Sequence, residues 1–213
     1  GTFETSKMAY NRCKEHRSLT PLMLLNYVNM LWENAHFEEV FRVFEFAVGH
    51  FKWPNVYEIW LSYISRSVER YGSDGVGVER ARSIFERLLK EVPQERCKIF
   101  YFMYAEFEEE YGLYSHTVEI LDRMVNAVKD EERYECYSIY IAKVAGLLGI
   151  TKTRAIFESA LQKLKEEEII LMALKYADLE KNMGEIDRAR GVYIYASQFS
   201  DPDDDVQHLW AQW

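Results

Sequence analysis

The chain has 213 residues, 48% hydrophobic and 15% aromatic, with only 4 prolines and 10 glycines, so it has material for a core and too little punctuation for a strand-rich fold. Its 35 acidic against 26 basic side chains give a formal charge of −9, which argues against autonomous, charge-driven binding to a nucleic acid backbone while leaving room for a local basic stripe. Cys13, Cys97 and Cys136 form no C-x-x-C pair and suit a reducing compartment, and no apolar run approaches the roughly 18 residues of a membrane span.

Residues from Phe3 to Arg17 read as the second helix of a repeat, with Met8, Ala9, Tyr10 and Cys13 on its apolar face, so the chain is expected to open inside a repeat. Thr20 and Pro21 then start a helix, the threonine placed to cap it and the proline tolerated in the first turn. Leu22, Leu25, Val28, Leu31 and Trp32 are its expected inner face. The return helix runs from Phe37 to Phe51 through Val40, Phe44, Ala47 and Val48, and Pro54 breaks it by pushing Trp53 out of the helical region.

Ile59, Trp60, Tyr63 and Ile64 begin the next pair, and Ala81, Ile84, Phe85, Leu88 and Leu89 continue it as far as Pro93. Between them the glycine-rich stretch Gly72 to Gly77 is expected to be a lengthened inter-helix turn; a phosphate-cradling loop would need a preceding strand and a following Gly-Lys-Ser/Thr. A third pair covers Lys98 to Tyr111 and Ser115 to Val128 with a turn at Gly112, and a fourth covers Tyr134 to Leu148 and Lys152 to Leu164, with Thr151 as the cap of its second helix. Glu106, Glu108, Glu109 and Glu110 step by about 100° on a helix, so they cannot converge on one ion and are expected on a solvated face.

In the fifth pair Gly184 ends a helix carrying Tyr176, Ala177, Leu179 and Glu180, because glycine accepts the left-handed backbone of a helix C-terminus. Ile186, Ala189, Val192, Tyr193 and Ala196 then share the apolar face of the return helix. Ser200 to Asp205 are expected to form a turn and cap region, followed by a helix with Leu209, Trp210 and Trp213.

Two registers hold this together. First-helix anchors Val28, Tyr63, Tyr104, Tyr140, Tyr176 and Trp213 are separated by 35, 41, 36, 36 and 37 residues, each preceded at three residues by Leu25, Trp60, Tyr101, Tyr137, Ala173 or Trp210. Second-helix anchors Tyr10, Phe44, Phe85, Leu121, Phe157 and Tyr193 step by 34, 41, 36, 36 and 36. Such self-similarity, with two helices per period, signals an all-α solenoid in which each unit buries its apolar face against its neighbours. Its expected partition is a partial repeat to about residue 20, repeats at 21–55, 56–96, 97–132, 133–165 and 166–202, and the start of another at 203–213.

The structural anchors are therefore Trp60, Tyr63, Phe85, Tyr101, Tyr104, Tyr137, Tyr140, Phe157, Tyr176, Tyr193 and Trp210. Candidate interhelix ion pairs draw on Glu108, Glu180, Arg82, Arg154 and Arg190, with Glu180 and Arg190 paired by their shared repeat frame. His16, His36, His50, His116 and His208 show no metal-ligand spacing, and nucleophile-elbow, Rossmann and Walker motifs are missing, so an enzyme reading has no motif behind it and no cofactor is expected.

The pattern W-x-x-Y-x-x-x-E followed by A-R-x-[IV]-[FY]-E resembles the half-a-TPR, or HAT, repeat of RNA-processing scaffolds. It stands here as Trp60 with Tyr63, Tyr104 with Glu108, Tyr176 with Glu180, Ala81-Arg82-Ser83-Ile84-Phe85-Glu86 and Ala189-Arg190-Gly191-Val192-Tyr193. The stretches Phe51 to Val56 with Ile59-Trp60, Glu108 to Leu113, and Gly184 to Arg190 leading to Ser197-Gln198 and Asp201-Pro202 are similar to the SYF/XPA-binding type of pre-mRNA-splicing factor. The resemblance implies antiparallel HAT/TPR-like pairs wound as a right-handed superhelix, within an internal part of a longer chain.

It also implies a nuclear, non-enzymatic scaffold of the spliceosome's nineteen complex, with other members of that complex, an aquarius-type helicase and a crooked-neck-like protein as partners, and in animals a link to transcription-coupled repair. One alternative is another RNA-processing HAT scaffold, crooked-neck-like or cleavage-stimulation-like and homodimeric. The other is a direct RNA binder with Arg82, Arg154 and Arg190 as a basic row, against which stands their simpler use in intramolecular pairs.

Overall fold

The computed structural model describes residues 3–72 and 75–199, without the side chains of 75 and 76. The expected turn at Ser200 to Asp205 and the helix with Leu209, Trp210 and Trp213 lie outside the described residues. The chain divides into two compact units, Gly1–Pro93 and Gln94–Trp213.

In the first unit α1 is Phe3–Glu15, α2 Pro21–Glu33, α3 Phe37–His50, α4 Tyr57–Tyr71 and α5 Gly75–Glu91. Each packs on the next, and α2 also meets α4, so first helices lie side by side as the repeat reading requires. Thr20, extended at φ −104° and ψ 157°, caps α2 by accepting the Met23 amide at 3.3 Å, with Pro21 in the first turn. The inner face of α2 differs from the expected one: Leu24, Tyr27, Val28 and Leu31 are buried, whereas Leu22 is 68% exposed. On α1, Tyr10 is buried and Cys13 half-buried, while Met8 and Ala9 face solvent. The Tyr10 ring decides both orientations, because it stacks on Tyr27 at 4.2 Å and 10° and so turns Tyr27 inward.

Of the glycine-rich stretch expected as a turn, Ser73 and Asp74 lie outside the described residues, and Gly72, Gly75 and Gly77 are helical. α4 runs to Tyr71, Gly72 continues in helical conformation at φ −60° and ψ −36°, and α5 starts at Gly75. The surplus residues go into helix: α4 and α5 have 15 and 17 residues, against 14 in α3. Gly77 is there for space. A methyl group on it would lie 2.8 Å from both the Cβ and the carbonyl oxygen of Tyr71, a backbone obstacle that cannot rotate away. Gly77→Ala is expected to cost about 1–3 kcal/mol, the range for overpacking, read as a fall in the urea midpoint. Gly49→Ala in α3, where nothing lies within 4 Å of the added carbon, should leave the midpoint unchanged or raise it slightly.

In the second unit a 3-10 turn at Gln94–Arg96 precedes α6 (Cys97–Tyr111), followed by α7 (Tyr114–Ala127), α8 (Asp130–Leu148), a 3-10 turn at Ile150–Thr153, α9 (Arg154–Lys163), α10 (Glu166–Asn182) and α11 (Ile186–Ala196). Successive helices again pack on one another. Gly184 takes φ 82° after α10, the left-handed geometry that ends the helix. Thr151 does not cap α9. The 3-10 turn delays the helix to Arg154, and the buried Thr153 hydroxyl donates to the Ile150 carbonyl at 2.6 Å, which pins the tight turn. In α11, Ala189, Tyr193 and Ala196 are buried, but Ile186 is 52% exposed. It sits in the first turn, at the outer end of the hairpin.

Candidate functional site

The chemistry that the sequence repeats is concentrated where one repeat meets the next. In the first unit the Phe44 ring of α3 stacks on Tyr63 of α4 at 4.9 Å and 9°, and Trp60 lies parallel to Tyr63 at 5.7 Å. Tyr63 donates its hydroxyl to Glu45 at 2.5 Å, and Arg87 of α5 grips the same carboxylate through two bonds of 2.8 and 3.0 Å while its guanidinium lies 5.3 Å from the Trp60 ring. Partial burial pushes the Glu45 carboxyl up, but the bonds from Arg87 and Tyr63 outweigh it and hold the group below the usual carboxylate range. Burial, then the bond to Glu45, pushes the Tyr63 phenol far up.

The second unit repeats the motif. Phe157 of α9 stacks on Tyr176 of α10 at 4.9 Å and 7°, and the Tyr176 hydroxyl donates to Glu158 at 3.4 Å. At the preceding junction Leu121 replaces the ring, and Asp122 is the neighbouring acid. Burial first, then nearby carboxylates, raises the phenols of Tyr140 and Tyr176 to about 12. A group whose pKa is raised on folding stabilises below its unfolded value and loses that contribution as pH climbs through the folded one. Unfolding stability is therefore expected to fall between about pH 10 and pH 12, the interval from the free phenol value to the folded one. An ultraviolet phenolate titration run beside the unfolding curve checks this, since the late-titrating phenols should ionise together with the loss of helix.

Of the other anchors, Phe85, Tyr101, Tyr104, Tyr137 and Tyr193 are buried, and Trp210 lies outside the described residues. The expected pair between Glu180 and Arg190 does not form. Glu180, wholly buried in α10, receives both arms of Arg154 from α9, at 2.7 and 2.8 Å, whereas Arg190 meets Asp187 one turn away at 3.3 Å on the exposed side of α11. The partner comes from the preceding repeat because α10 packs on α9, whose first residue is Arg154. Arg82 pairs with Glu79. Glu108 departs from the expected solvated face: it is buried, with His116 Nδ1 3.4 Å from its carboxylate, while Glu106 and Glu110 are exposed and Glu109 pairs with Lys143.

Glu45 and Glu158 are not among the candidate pairs read from the sequence, although they occupy the closing Glu position of the A-R-x-[IV]-[FY]-E pattern and a fixed interval marks them. Glu45 and Glu158 each lie 18 residues before the tyrosine they serve, and Asp122 keeps the same interval to Tyr140, since 140 − 122 = 18. A second ladder joins equivalent helices of neighbouring repeats at 34 to 37 residues, through Lys98 with Glu135, Lys143 with Glu109, Lys165 with Glu131 and Lys175 with Ser138.

Among the described residues no group of three or more His, Cys, Asp or Glu could hold a metal ion, and no helix is long and apolar enough to cross a membrane. Cys97 and Cys136 are buried, and burial pushes the Cys136 thiol up to about 11, the opposite of what a nucleophile needs. Among the concavities of the described residues are three open grooves: one of about 330 Å³ between α1 and α2, lined by Tyr10, Cys13, Leu19, Met23, Tyr27 and Met30, one of about 470 Å³ with Glu158, Tyr176, Arg188 and Tyr195 on its walls, and one of about 540 Å³ along α8. A different feature is periodic. Tyr114, Ile150 and Ile186 are each half exposed at the outer end of a hairpin, with Leu113 and Leu148 beside the first two. The three positions keep the repeat interval, 150 − 114 = 36 and 186 − 150 = 36.

The family model described as the pre-mRNA-splicing factor Syf1/CRNKL1 C-terminal HAT repeat matches residues 1–213. The chain is 44% identical over 202 residues to the pre-mRNA-splicing factor syf1 homolog of Drosophila melanogaster, covering 95% of this chain and 23% of the fly protein. It is 40% identical over 213 residues to pre-mRNA-splicing factor SYF1 of Dictyostelium discoideum, covering 100% and 25%, and 41% identical over 202 residues to SYF1 of Homo sapiens, covering 95% and 23%. It thus spans about a quarter of the length of these relatives. With two helices per repeat, stacked aromatic junctions and a match over its whole length, the chain belongs to the Syf1/CRNKL1 C-terminal HAT-repeat family of pre-mRNA-splicing factors.

Proposed function

We propose that this chain is a non-catalytic, nuclear protein-interaction scaffold in pre-mRNA splicing, part of a nineteen-complex component that holds other members of that complex, an aquarius-type helicase and a crooked-neck-like protein. The repeat partition at 21–55, 56–96, 97–132, 133–165 and 166–202 belongs to the same proposal. The observation that supports it is the exposed apolar row Tyr114, Ile150 and Ile186, placed identically in three consecutive hairpins. Apolar side chains recurring on successive repeats suit a protein partner, whose aromatic and aliphatic anchors carry most of the binding energy. The arginines that could have formed a basic row point the other way, since Arg82, Arg154 and Arg190 are occupied by Glu79, Glu180 and Asp187.

The test is affinity capture from nuclear extract with the tagged chain and with a Tyr114→Ser/Ile150→Ser/Ile186→Ser variant. The wild type is expected to retain splicing proteins at moderately raised salt, and the variant to lose them with its melting curve intact. Capture of the same set by both, or of no splicing protein by the wild type, would reject the reading.

A further inference from the structure

Most cations with a defined contact are neutralised. Lys7, Arg66, Arg87, Lys98, Lys129, Lys143 and Lys165 each hold a carboxylate. One patch of the first unit differs. Lys14 near the end of α1, Arg42 on α3 and Lys52 just beyond α3 are exposed, and among the described residues no carboxylate pairs with them. Rings lie between them. The Lys14 ammonium sits 4.0 Å from the Phe46 ring centroid, His50 stacks on Phe46 at 5.2 Å and 17°, and Phe51 meets His50 edge-on at 5.1 Å. Arg42 and His50 stand one turn before and one turn after Phe46 on the same helix face. The acids nearest in sequence do not cancel the patch: Glu45 is held by Arg87 and Tyr63 and Glu39 by Lys7, which leaves Glu15 and Glu38, the latter exposed one turn before Arg42 and not paired with it.

We infer that this patch, Lys14, Arg42 and Lys52 around the Phe46, His50 and Phe51 rings, is a contact site for the backbone and a stacked base of single-stranded RNA. Cations alone would serve any anion. The ring ladder is what favours a nucleic acid, because an exposed imidazole continuing a stack outwards offers a base a face, and base stacking with flanking cations is how single strands are held without sequence readout. The site lies in a protein of net charge −9, so long-range attraction is weak and the contact is short-ranged, salt-sensitive and local. It is distinct from the arginine row of the repeat frame, whose members are already paired.

The test is fluorescence anisotropy of labelled oligouridylate and oligoadenylate with the 213-residue chain at several salt concentrations. Lys14→Gln/Arg42→Gln/Lys52→Gln is expected to weaken binding about tenfold or more and to reduce the magnitude of the slope of log K against log salt by about 2, at about 0.7 for each phosphate no longer neutralised. Lys14→Arg/Arg42→Lys/Lys52→Arg should keep both. His50→Ala should weaken binding severalfold with the slope unchanged, the mark of a missing stack rather than a missing charge. Arg190→Gln, which removes an already paired cation, should change neither. Equal affinity and slope for the wild type and the Gln variant would overturn the assignment. So would displacement of the RNA by polyglutamate as efficiently as by unlabelled RNA at equal charge, which would make the patch an acidic-peptide site.

Discussion

Trp60→Ala is expected to cost about 3–5 kcal/mol, the cost of emptying an aromatic from a packed core, and with it much of the stability a unit of this kind has to spare. The indole is wholly buried, lies parallel to Tyr63 at 5.7 Å and is met by Arg87 at 5.3 Å, so truncation leaves a void and loosens the ring on which Phe44 stacks. The neighbours are held by their own bonds to Glu45 and cannot collapse far into the gap. Urea unfolding followed by circular dichroism checks this. Trp60→Phe should recover a substantial part of the loss, and a midpoint unmoved by Trp60→Ala would mean that Trp60 is no anchor.

Glu180 supplies the second large effect. Its carboxylate is fully buried and is satisfied by the two arms of Arg154, while the competing expectation, Arg190, sits on the exposed side with a side chain 57% open to solvent. Removing one partner of such a pair strands the other in a place water does not reach. Arg154→Ala should therefore lower the melting temperature by several degrees, and Arg190→Ala should change it hardly at all. Replacing both members, Arg154→Met with Glu180→Leu, should recover most of the loss. A double-mutant cycle should show coupling between Glu180 and Arg154 and none between Glu180 and Arg190. The reverse pattern would restore the in-repeat pairing read from the frame.

The contrast between those arginines shows what was legible in the sequence. Periodicity reports which residues share an environment, so the buried aromatics and the two-helix period could be read from spacing alone, and Thr20 and Gly184 announced their helix ends through backbone chemistry. It does not report which neighbour supplies a partner. Glu180 is bound from the repeat before its own, 26 residues back, a relation that appears only when α9 and α10 are seen side by side. The face of α2 was misread for another reason: the helix sequence PLMLLNYVNMLWE offers apolar side chains in nearly every direction, so only the stack of Tyr10 on Tyr27 fixes its rotation. The glycine-rich stretch read as a loop because glycine usually marks one, whereas Gly77 serves a close approach of helix to helix.

The junction built from Phe157, Glu158 and Tyr176 has a consequence for how such a chain can change length. Its parts come from both sides of a repeat boundary, and the equivalent position of the preceding repeat lies 36 residues back, since 157 − 121 = 36. Excising residues 121–156 would splice the first half of α7 onto the second half of α9 as one continuous helix and leave Phe157 still facing Tyr176. Excising half that number would instead join a first helix to a second and leave every ring opposite the wrong face. A gene encoding this protein can therefore lose or gain a whole repeat at this junction with the rings still matched, whereas smaller changes have to be absorbed within a helix pair, as the lengthened α4 and α5 absorb theirs.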